Sequence, residues 1–515
     1  MSSPNTSHLL LMASPGWSHT RPLCVLAARL VSERQDLVVT IFTTPQVLEK
    51  ARFEIARQSE SGSSSVQRIR LVSIFQFSVA NLMEDFRLFA EAYPAAYQTL
   101  AQGKPITCST TGVSFEAAPA PVAVIFDFFL LPQLQMTRAV TGRSVPIITW
   151  FSGGCTTFLR DWGSESVGGR GDFSAKVDEE VARTGKSPLE VGEELYYHLD
   201  GSVIRVPGLP AMYDHEFFPQ KLPFEVAVSV LIRNGAEFVK DSDALMMTSS
   251  DAYEKSSLDA IRTWFAELQK PVYAIGPLLP AGYTSTQSDV DESNADVKVF
   301  LDGALEKYGA RSVFFISFGS IFWPSHKPEY LEEVVEACVE KQLPFVLSHA
   351  SPIANIPEGL LERAQTSGLG LLTPWSPQQF ILNHPATGWF ITHTGHGSVM
   401  ESLSSGIPMI CWPFQGDQPT AAAHLTENLE VAFELTEVRT ANGLKPIHRL
   451  NGRTPKGTRE AVGVEIRSVF DRCRGKEGEE LRENAERLKR ELGAAWEDGG
   501  AAKVAFREFL ERYAK

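Results

Sequence analysis

The stretch Trp389–Gly406, WFITHTGHGSVMESLSSG, decides how the chain is read. Its opening, WFITH, is a continuous apolar run of the kind that forms a strand buried on both faces, ending at His393. TGHGS is a tight turn, and Ser398 to Ser405 follow helical spacing with Val399, Met400 and Leu403 on the inner face. Gly406 terminates that helix. Gly395 and Gly397 let backbone N–H groups come close to a ligand, and the positive end of the helix that follows favours a phosphate. Ser398 and Glu401 share one helical face, so a hydroxyl could touch a phosphate while a carboxylate takes the two hydroxyls of a ribose. Together they suggest a nucleotide, although a plain strand-to-helix connection has the same local pattern.

The same alternation extends outward. SVFFISFGS (312–320), a helix over Pro328 to Lys341, PFVLSHA (344–350), LGLLTPW (369–375) and MICWPF (409–414) form one series of short apolar strands and helical stretches. An earlier series holds strands at His8 to Ser14, DLVVTIFTT (36–44), IRLVSI (69–74), AVIFDFF (123–129), PIITWFS (146–152) and ALMMTSS (244–250), with helices near Leu23 to Val31 and Gln46 to Arg57. This is the α/β signature and predicts largely parallel sheets in two Rossmann-like halves. Between the series, AGYTSTQSDVDESNADV (281–297) is rich in Ser, Thr and Asp and lacks hydrophobic periodicity, which marks a linker. The expected organisation is a domain over 1–279, a linker over 280–297, a domain over 298–485 and a charged helical tail over 486–515, where Gly499-Gly500 separates two helices. Asp161 to Asp172, containing WGSESVGGRG, reads as a mobile loop of the first domain.

Composition narrows the function. A chain of 515 residues with 43% hydrophobic and 21% charged residues can bury large cores and is not disordered. Lys+Arg 48 against Asp+Glu 62 gives a net charge of −14, so no overall basic field exists to hold a nucleic acid. Six scattered cysteines show neither metal-ligand spacing nor a disulfide framework and read as buried reduced thiols. The first residues lack a basic region, and Leu9 to Ala13 is too short for a secretory core. Asn5-Thr6-Ser7 formally matches a glycosylation acceptor that such a chain would not expose. The most apolar segment, Pro121 to Pro132, is interrupted by Asp127 and falls short of the roughly 18 residues of a membrane span. A soluble cytoplasmic protein is expected.

The window from Trp375 to Gln418 resembles, over its full length and in register, the signature of the UDP-dependent glycosyltransferases best known from plant secondary metabolism, and the wider chain resembles them from end to end. The resemblance implies that Trp375 stacks on uracil, that Gln378 and the Ser376 backbone lie beside base and ribose, and that Glu401 holds the ribose hydroxyls. It makes His393 and Ser398 diphosphate ligands, with Gly395 and Gly397 in the same turn. Asp417 and Gln418 would hold hydroxyls of the transferred sugar, and Gln at that place points to glucose. Plant members carry Trp and Asn where this chain has His396 and Gly397; TGHGS looks more like fungal or bacterial relatives. Gly397 thus lacks a side-chain phosphate donor, and His396 could meet the sugar or fill the turn. SFGS resembles the family's diphosphate-facing loop, with Gly319 giving backbone access and Ser320 a donor.

His19, in PGWSHTRPL, follows the first strand, and Asp127 ends AVIFDFF. Side chains at the carboxyl ends of neighbouring parallel strands project into one crevice, so the two could meet. A carboxylate on one ring nitrogen fixes the tautomer and stabilises the imidazolium formed when the other nitrogen takes a proton. A lone His there is commonly structural and such an Asp commonly a satisfied turn carboxylate; the resemblance favours general base and orienter. It also implies the GT-B arrangement of two facing Rossmann-like domains, with the tail crossing back to the first. It further implies an inverting transfer from a UDP-sugar to a hydroxyl of a small apolar acceptor such as a phenol, flavonoid, sterol or lipid-like alcohol, giving a β-glycoside by a monomeric enzyme. No cofactor or metal is expected. Phe86, Phe89, Tyr93 and Phe151 are available to line the acceptor pocket, or to pack the core.

Other signals fail. Gly185-Lys186-Ser187 lacks the first glycine of a phosphate loop and is followed by Pro188. Asp241-Ser242-Asp243 and Asp289-Val290-Asp291 match the metal-binding DxD of other glycosyltransferases, but one precedes a buried strand and the other lies in the linker. A metal-dependent transferase and a non-catalytic nucleotide-sugar-binding protein are the rival readings.

Overall fold

The computed structural model describes residues 6–58, 65–77, 82–280, 283 and 295–515. Two parallel sheets carry the fold. The first contains β1 (Ser7–Met12), β2 (Leu37–Thr43), β3 (Ile69–Ser73), β4 (Ala123–Asp127), β5 (Ile147–Phe151), β6 (Ala244–Met247) and β7 (Val272–Ala274), in the order β7-β6-β5-β4-β1-β2-β3. The second contains β8 (Val313–Ser317), β9 (Phe345–Ser348), β10 (Gly370–Thr373), β11 (Thr387–Thr392), β12 (Met409–Cys411) and β13 (Ala432–Glu434), in the order β10-β9-β8-β11-β12-β13. Both sheets are covered by helices, which explains why β1 reads LLLM without alternation: Leu9 to Met12 are all fully buried.

The strand order places the chemistry. In each sheet the direction of winding reverses once, between β1 and β4 in the first and between β8 and β11 in the second. At such a reversal the connecting helices leave to opposite faces and a crevice opens at the carboxyl ends of the strands. Met12 pairs with Phe126 and Ser317 with Thr392, so the residues just past these pairs flank the two crevices. His19 on α1 (Trp17–Glu33) and Asp127 flank one; Gly319, Ser320 and His393 flank the other.

Helix α2 (Pro45–Arg57) follows β2, and α3 (Cys155–Trp162) follows β5. The segment expected to be a mobile loop is instead compact. Trp162 ends α3 within an aromatic cluster with Phe128, Phe151 and Phe158, and Glu165–Val167 form a single 3₁₀ turn. Gly169 N–H bonds Ser164 O at 3.0 Å and Gly171 N–H bonds Gly163 O at 2.9 Å. A Cβ on Gly169 would lie 2.1 Å from Gly163 O, so here the glycines serve close backbone packing.

Helix α4 (Ala295–Tyr308) begins within the sequence expected to be linker, while 281–282 and 284–294 lie outside the described residues. Helices α5 (Gln378–Asn383) and α6 (His396–Ser405) follow β10 and β11. Near the end, α7 (Lys476–Ala494) packs with the second half through Leu488 and Leu492, whereas α8 (Ala501–Tyr513) sinks Phe506, Phe509 and Leu510 into the core beneath β1 and β7. All six cysteines are buried and unpaired. Among the described residues no helix is long and apolar enough to cross a membrane.

Candidate active site

His19 stands on the first turn of α1, and Asp127 is the last residue of β4. His19 Nδ1 lies 2.6 Å from Asp127 Oδ2, and the same oxygen accepts from Ser14 N–H at 3.3 Å and Ser14 Oγ–H at 3.1 Å. Asp127 Oδ1 accepts from Phe129 N–H at 3.2 Å. The carboxylate is fully buried, while the imidazole keeps 25% of its side chain exposed. Because an ionised carboxylate only accepts, Nδ1 carries the ring proton and Nε2 keeps its lone pair. Burial pulls the His19 pKa down, but the charge and hydrogen bond of Asp127 outweigh it and the net direction is up. Ser152 Oγ, one residue past β5, lies 3.0 Å from Nδ1.

Beside this pair is a cleft of about 530 Å³ whose far wall is the second half of the chain; Ser18 and Ser152, the neighbours of His19, line it, while His19 and Asp127 stand behind that lining. Gly319, Ser320, Trp375, Ser376, Gln378, Gly397, Ser398 and Glu401 all line it, opposite Ser18, Arg21, Lys50 and Ser152. Trp375 is 40% exposed, a flat surface offered to solvent by a residue type that is usually covered. Gln378 Nε2 donates to Glu401 Oε2 at 2.9 Å, so these two side chains form one polar unit. Gly397, at the start of α6, has open space where a Cβ would stand.

His393, Gly395, Asp417 and Gln418 stand outside the cleft lining and shape it from behind. The His393 ring is pressed against two glycines: a Cβ on Gly319 would lie 2.7 Å from its Cε1, and one on Gly395 would lie 2.6 Å from its Nε2. Gly319 also has φ +74°, a conformation that side chains disfavour. Burial lowers the His393 pKa to about 4, which leaves a neutral imidazole able to donate one N–H. Asp417 Oδ2 accepts from His396 N–H at 3.1 Å; burial raises the Asp417 pKa, and its charge adds to the upward pull on His19. The two walls therefore share one electrostatic field. Gln418 is 2% exposed, and its Oε1 accepts from Phe414 N–H at 2.8 Å, leaving its NH₂ group for other partners.

A family model described as UDP-glucoronosyl and UDP-glucosyl transferase matches residues 221–445. The UDP-glycosyltransferase eriJ of Hericium erinaceus is 30% identical over 99% of this chain and 100% of its own. The chain belongs to the UDP-glycosyltransferase family. An anthocyanidin 3-O-glucosyltransferase of Zea mays is 26% identical over 98% of this chain and 96% of its own. UGT71G1 of Medicago truncatula, solved with UDP-glucose, superposes with a TM-score of 0.71 at 18% identity, covering both chains completely, which establishes the shared GT-B fold.

Within this UDP-glycosyltransferase several neighbours of these side chains left no mark in the sequence. Ser14 and Ser152 reach the His19–Asp127 pair from separate strand ends. Tyr283, among the few described residues between the domains, donates its OH to the Glu401 carbonyl at 2.9 Å. Of the aromatics available for an acceptor pocket, Phe89 and Tyr93 are fully buried beneath the first sheet and Phe151 is 3% exposed. Phe86 packs at the edge of the same core. The aromatic beside His19 is Phe129, with ring centroids 5.6 Å apart. Asp241 and Asp243 pair with Arg138 and Arg143, while Asp289 and Asp291 lie outside the described residues. Among the described residues no three His, Cys, Asp or Glu side chains gather into a group that could hold a metal ion.

Proposed function

We propose that this UDP-glycosyltransferase transfers glucose from UDP-glucose to a hydroxyl of a small apolar acceptor, with inversion and without a metal ion. The observation that carries the reading is the His19–Asp127 pair at 2.6 Å, set just behind Ser18 and Ser152 in the wall of a cleft whose opposite wall is the nucleotide signature. His19 Nε2 takes the acceptor proton as its oxygen attacks the anomeric carbon from the face opposite UDP, and Asp127 stabilises the imidazolium. The α-linked donor then yields a β-glycoside.

On the donor side Trp375 stacks on uracil, Ser376 and Gln378 flank the base and ribose, and Glu401 receives the ribose hydroxyls. His393, Ser320, Ser398 and the N–H groups of Gly319, Gly395 and Gly397 surround the diphosphate. The first turn of α6 supplies the positive field a diphosphate needs as it becomes the leaving group. Asp417 and Gln418 hold the sugar. Glucose is supported by Gln418 and by the glucosyltransferase name of the maize relative. That relative also supports an aromatic acceptor, for which Phe129 offers a face and Ser152 a hydroxyl.

The test is UDP release from UDP-glucose with phenols, flavonoids, sterols and long-chain alcohols, with and without EDTA. Release that requires an acceptor and ignores EDTA is expected. EDTA-sensitive release would return the reaction to a metal-bound carboxylate, and UDP binding without turnover would reduce the protein to a nucleotide-sugar binder.

A further inference from the structure

Three cations of the first domain reach across the cleft onto residues that face the donor. Arg21, two residues past His19 on α1, donates through Nη1 to Glu401 Oε1 and through Nη2 to Gln379 Oε1 at 3.3 Å. Arg57 Nη2 reaches the same amide oxygen at 3.3 Å, and Lys50 Nζ lies 3.8 Å from the centre of the Trp375 ring. Arg21 is held in place from behind, because Glu54 Oε2 accepts from its Nε at 3.2 Å and Gln58 in turn donates to Glu54 Oε1 at 2.9 Å.

The surroundings of Glu401 make this contact matter. Its side chain is 10% exposed, and its other hydrogen-bond partner is the neutral amide of Gln378. A buried carboxylate left without a paired charge is strongly disfavoured, so the cation that keeps it in place comes from the opposite domain. A carboxylate offers about four acceptor positions. Arg21 and Gln378 take one on each oxygen, which leaves one on each oxygen for the two hydroxyls of a ribose.

We propose that Arg21 is a positioning residue for the donor. By pairing with Glu401 across the cleft it fixes the carboxylate that receives the ribose. Because it shares the first turns of α1 with His19, it also ties donor occupancy to the placement of the base. The inference rests on the reading of Glu401 as the ribose acceptor.

The experiment measures the Kd of UDP and of 2′-deoxy-UDP, and the KM and kcat for UDP-glucose, on the full chain carrying Arg21→Met, Arg21→Lys, Glu401→Gln and the Met/Gln pair. Arg21→Met is expected to weaken UDP and raise the UDP-glucose KM about tenfold, to shrink the preference for UDP over 2′-deoxy-UDP, and to be partly rescued by Arg21→Lys. In the Glu401→Gln background the same change should move the UDP Kd by less than about twofold. Multiplicative losses in the double variant, an unchanged deoxy preference, or tighter UDP binding by Arg21→Met would overturn the proposal, the last by making Arg21 a latch the donor must displace. If Arg21→Met does not fold, Arg21→Lys against Glu401→Gln gives the same cycle. Normal UDP affinity in Glu401→Gln alone would bring down the ribose reading itself; a weakened Glu401→Gln beside a normal Arg21→Met would bring down only this inference.

Discussion

Replacing Asp127 by Asn tests the base assignment most sharply, because the local geometry dictates the outcome. Oδ2 accepts from His19 at 2.6 Å and from Ser14 N–H and Oγ–H at 3.3 and 3.1 Å, while Oδ1 accepts from Phe129 N–H at 3.2 Å. An amide has one acceptor oxygen. If that oxygen faces His19, the NH₂ group confronts Phe129 N–H. If it faces Phe129, the NH₂ group confronts Ser14 N–H and drives His19 into the tautomer that carries its proton on Nε2, where it cannot accept another. Either orientation leaves a buried N–H unsatisfied, a cost of about 1–3 kcal/mol to the fold. Both remove the charge that stabilises the imidazolium, so kcat is expected to fall by about 10²–10⁴. The pH profile carries a sign. In the native enzyme Asp127 lifts the His19 pKa above 6.5 against the pull of burial, so the acid limb of kcat/KM lies above 6.5. In Asp127→Asn burial is opposed only by the charge of Asp417, and the acid limb of the residual activity moves to lower pH. UDP release followed across the neutral pH range reads both effects; a kcat within about threefold of native, or an acid limb that does not move, would refute the dyad.

Trp375→Ala should weaken UDP by about 1–3 kcal/mol through loss of base stacking, measured by calorimetry, with little change in the unfolding midpoint because the ring is 40% exposed. Gly319→Ala forces a Cβ to 2.7 Å from the His393 ring at φ +74°, so thermal stability should drop by about 1–3 kcal/mol and UDP affinity with it; a native-like melting curve would contradict the packing. Gly397→Ala meets open space within a helix and should leave stability equal or raised by up to about 1 kcal/mol in denaturant unfolding, and a loss there would mean that the turn needs glycine for its backbone.

The fold was readable because parallel strands covered on both faces write themselves as short unbroken apolar runs. SVFFISFGS and AVIFDFF are such runs, and β8 and β4 lie within them. Boundaries were less legible where composition imitates disorder. The glycines of WGSESVGGRG suggest mobility when read locally, yet Gly169 is needed because a carbonyl of the same turn leaves no room for a Cβ. The small antiparallel pairs at Ile106–Thr107 with Ser114–Phe115 and at Val203–Ile204 with Met212–Tyr213 are too short to carry any periodicity.

The site divides along a similar line. Glu401 and Ser398 could be placed together because one helix carries both, and local sequence dictates local geometry; Gln378, which opens α5 and meets Glu401 from 23 residues away, was reached only through the family resemblance. His19 and Asp127 lie 108 residues apart yet were still within reach, since Asp127 ends β4 and His19 stands on the first turn of the helix after the neighbouring β1 at a winding reversal, a property of topology and not of sequence distance. Arg21 is different. Its partner Glu401 is 380 residues away on the other domain, and nothing in TRPL distinguishes a guanidinium that crosses a cleft from one that faces water. A residue becomes legible in a single sequence when its role follows from its own element; contacts made by docking one domain against another are fixed by the whole surface of both. In a two-domain transferase the proposed coupling of donor binding to base placement runs through such contacts, and that is the part of the site a single sequence shows least.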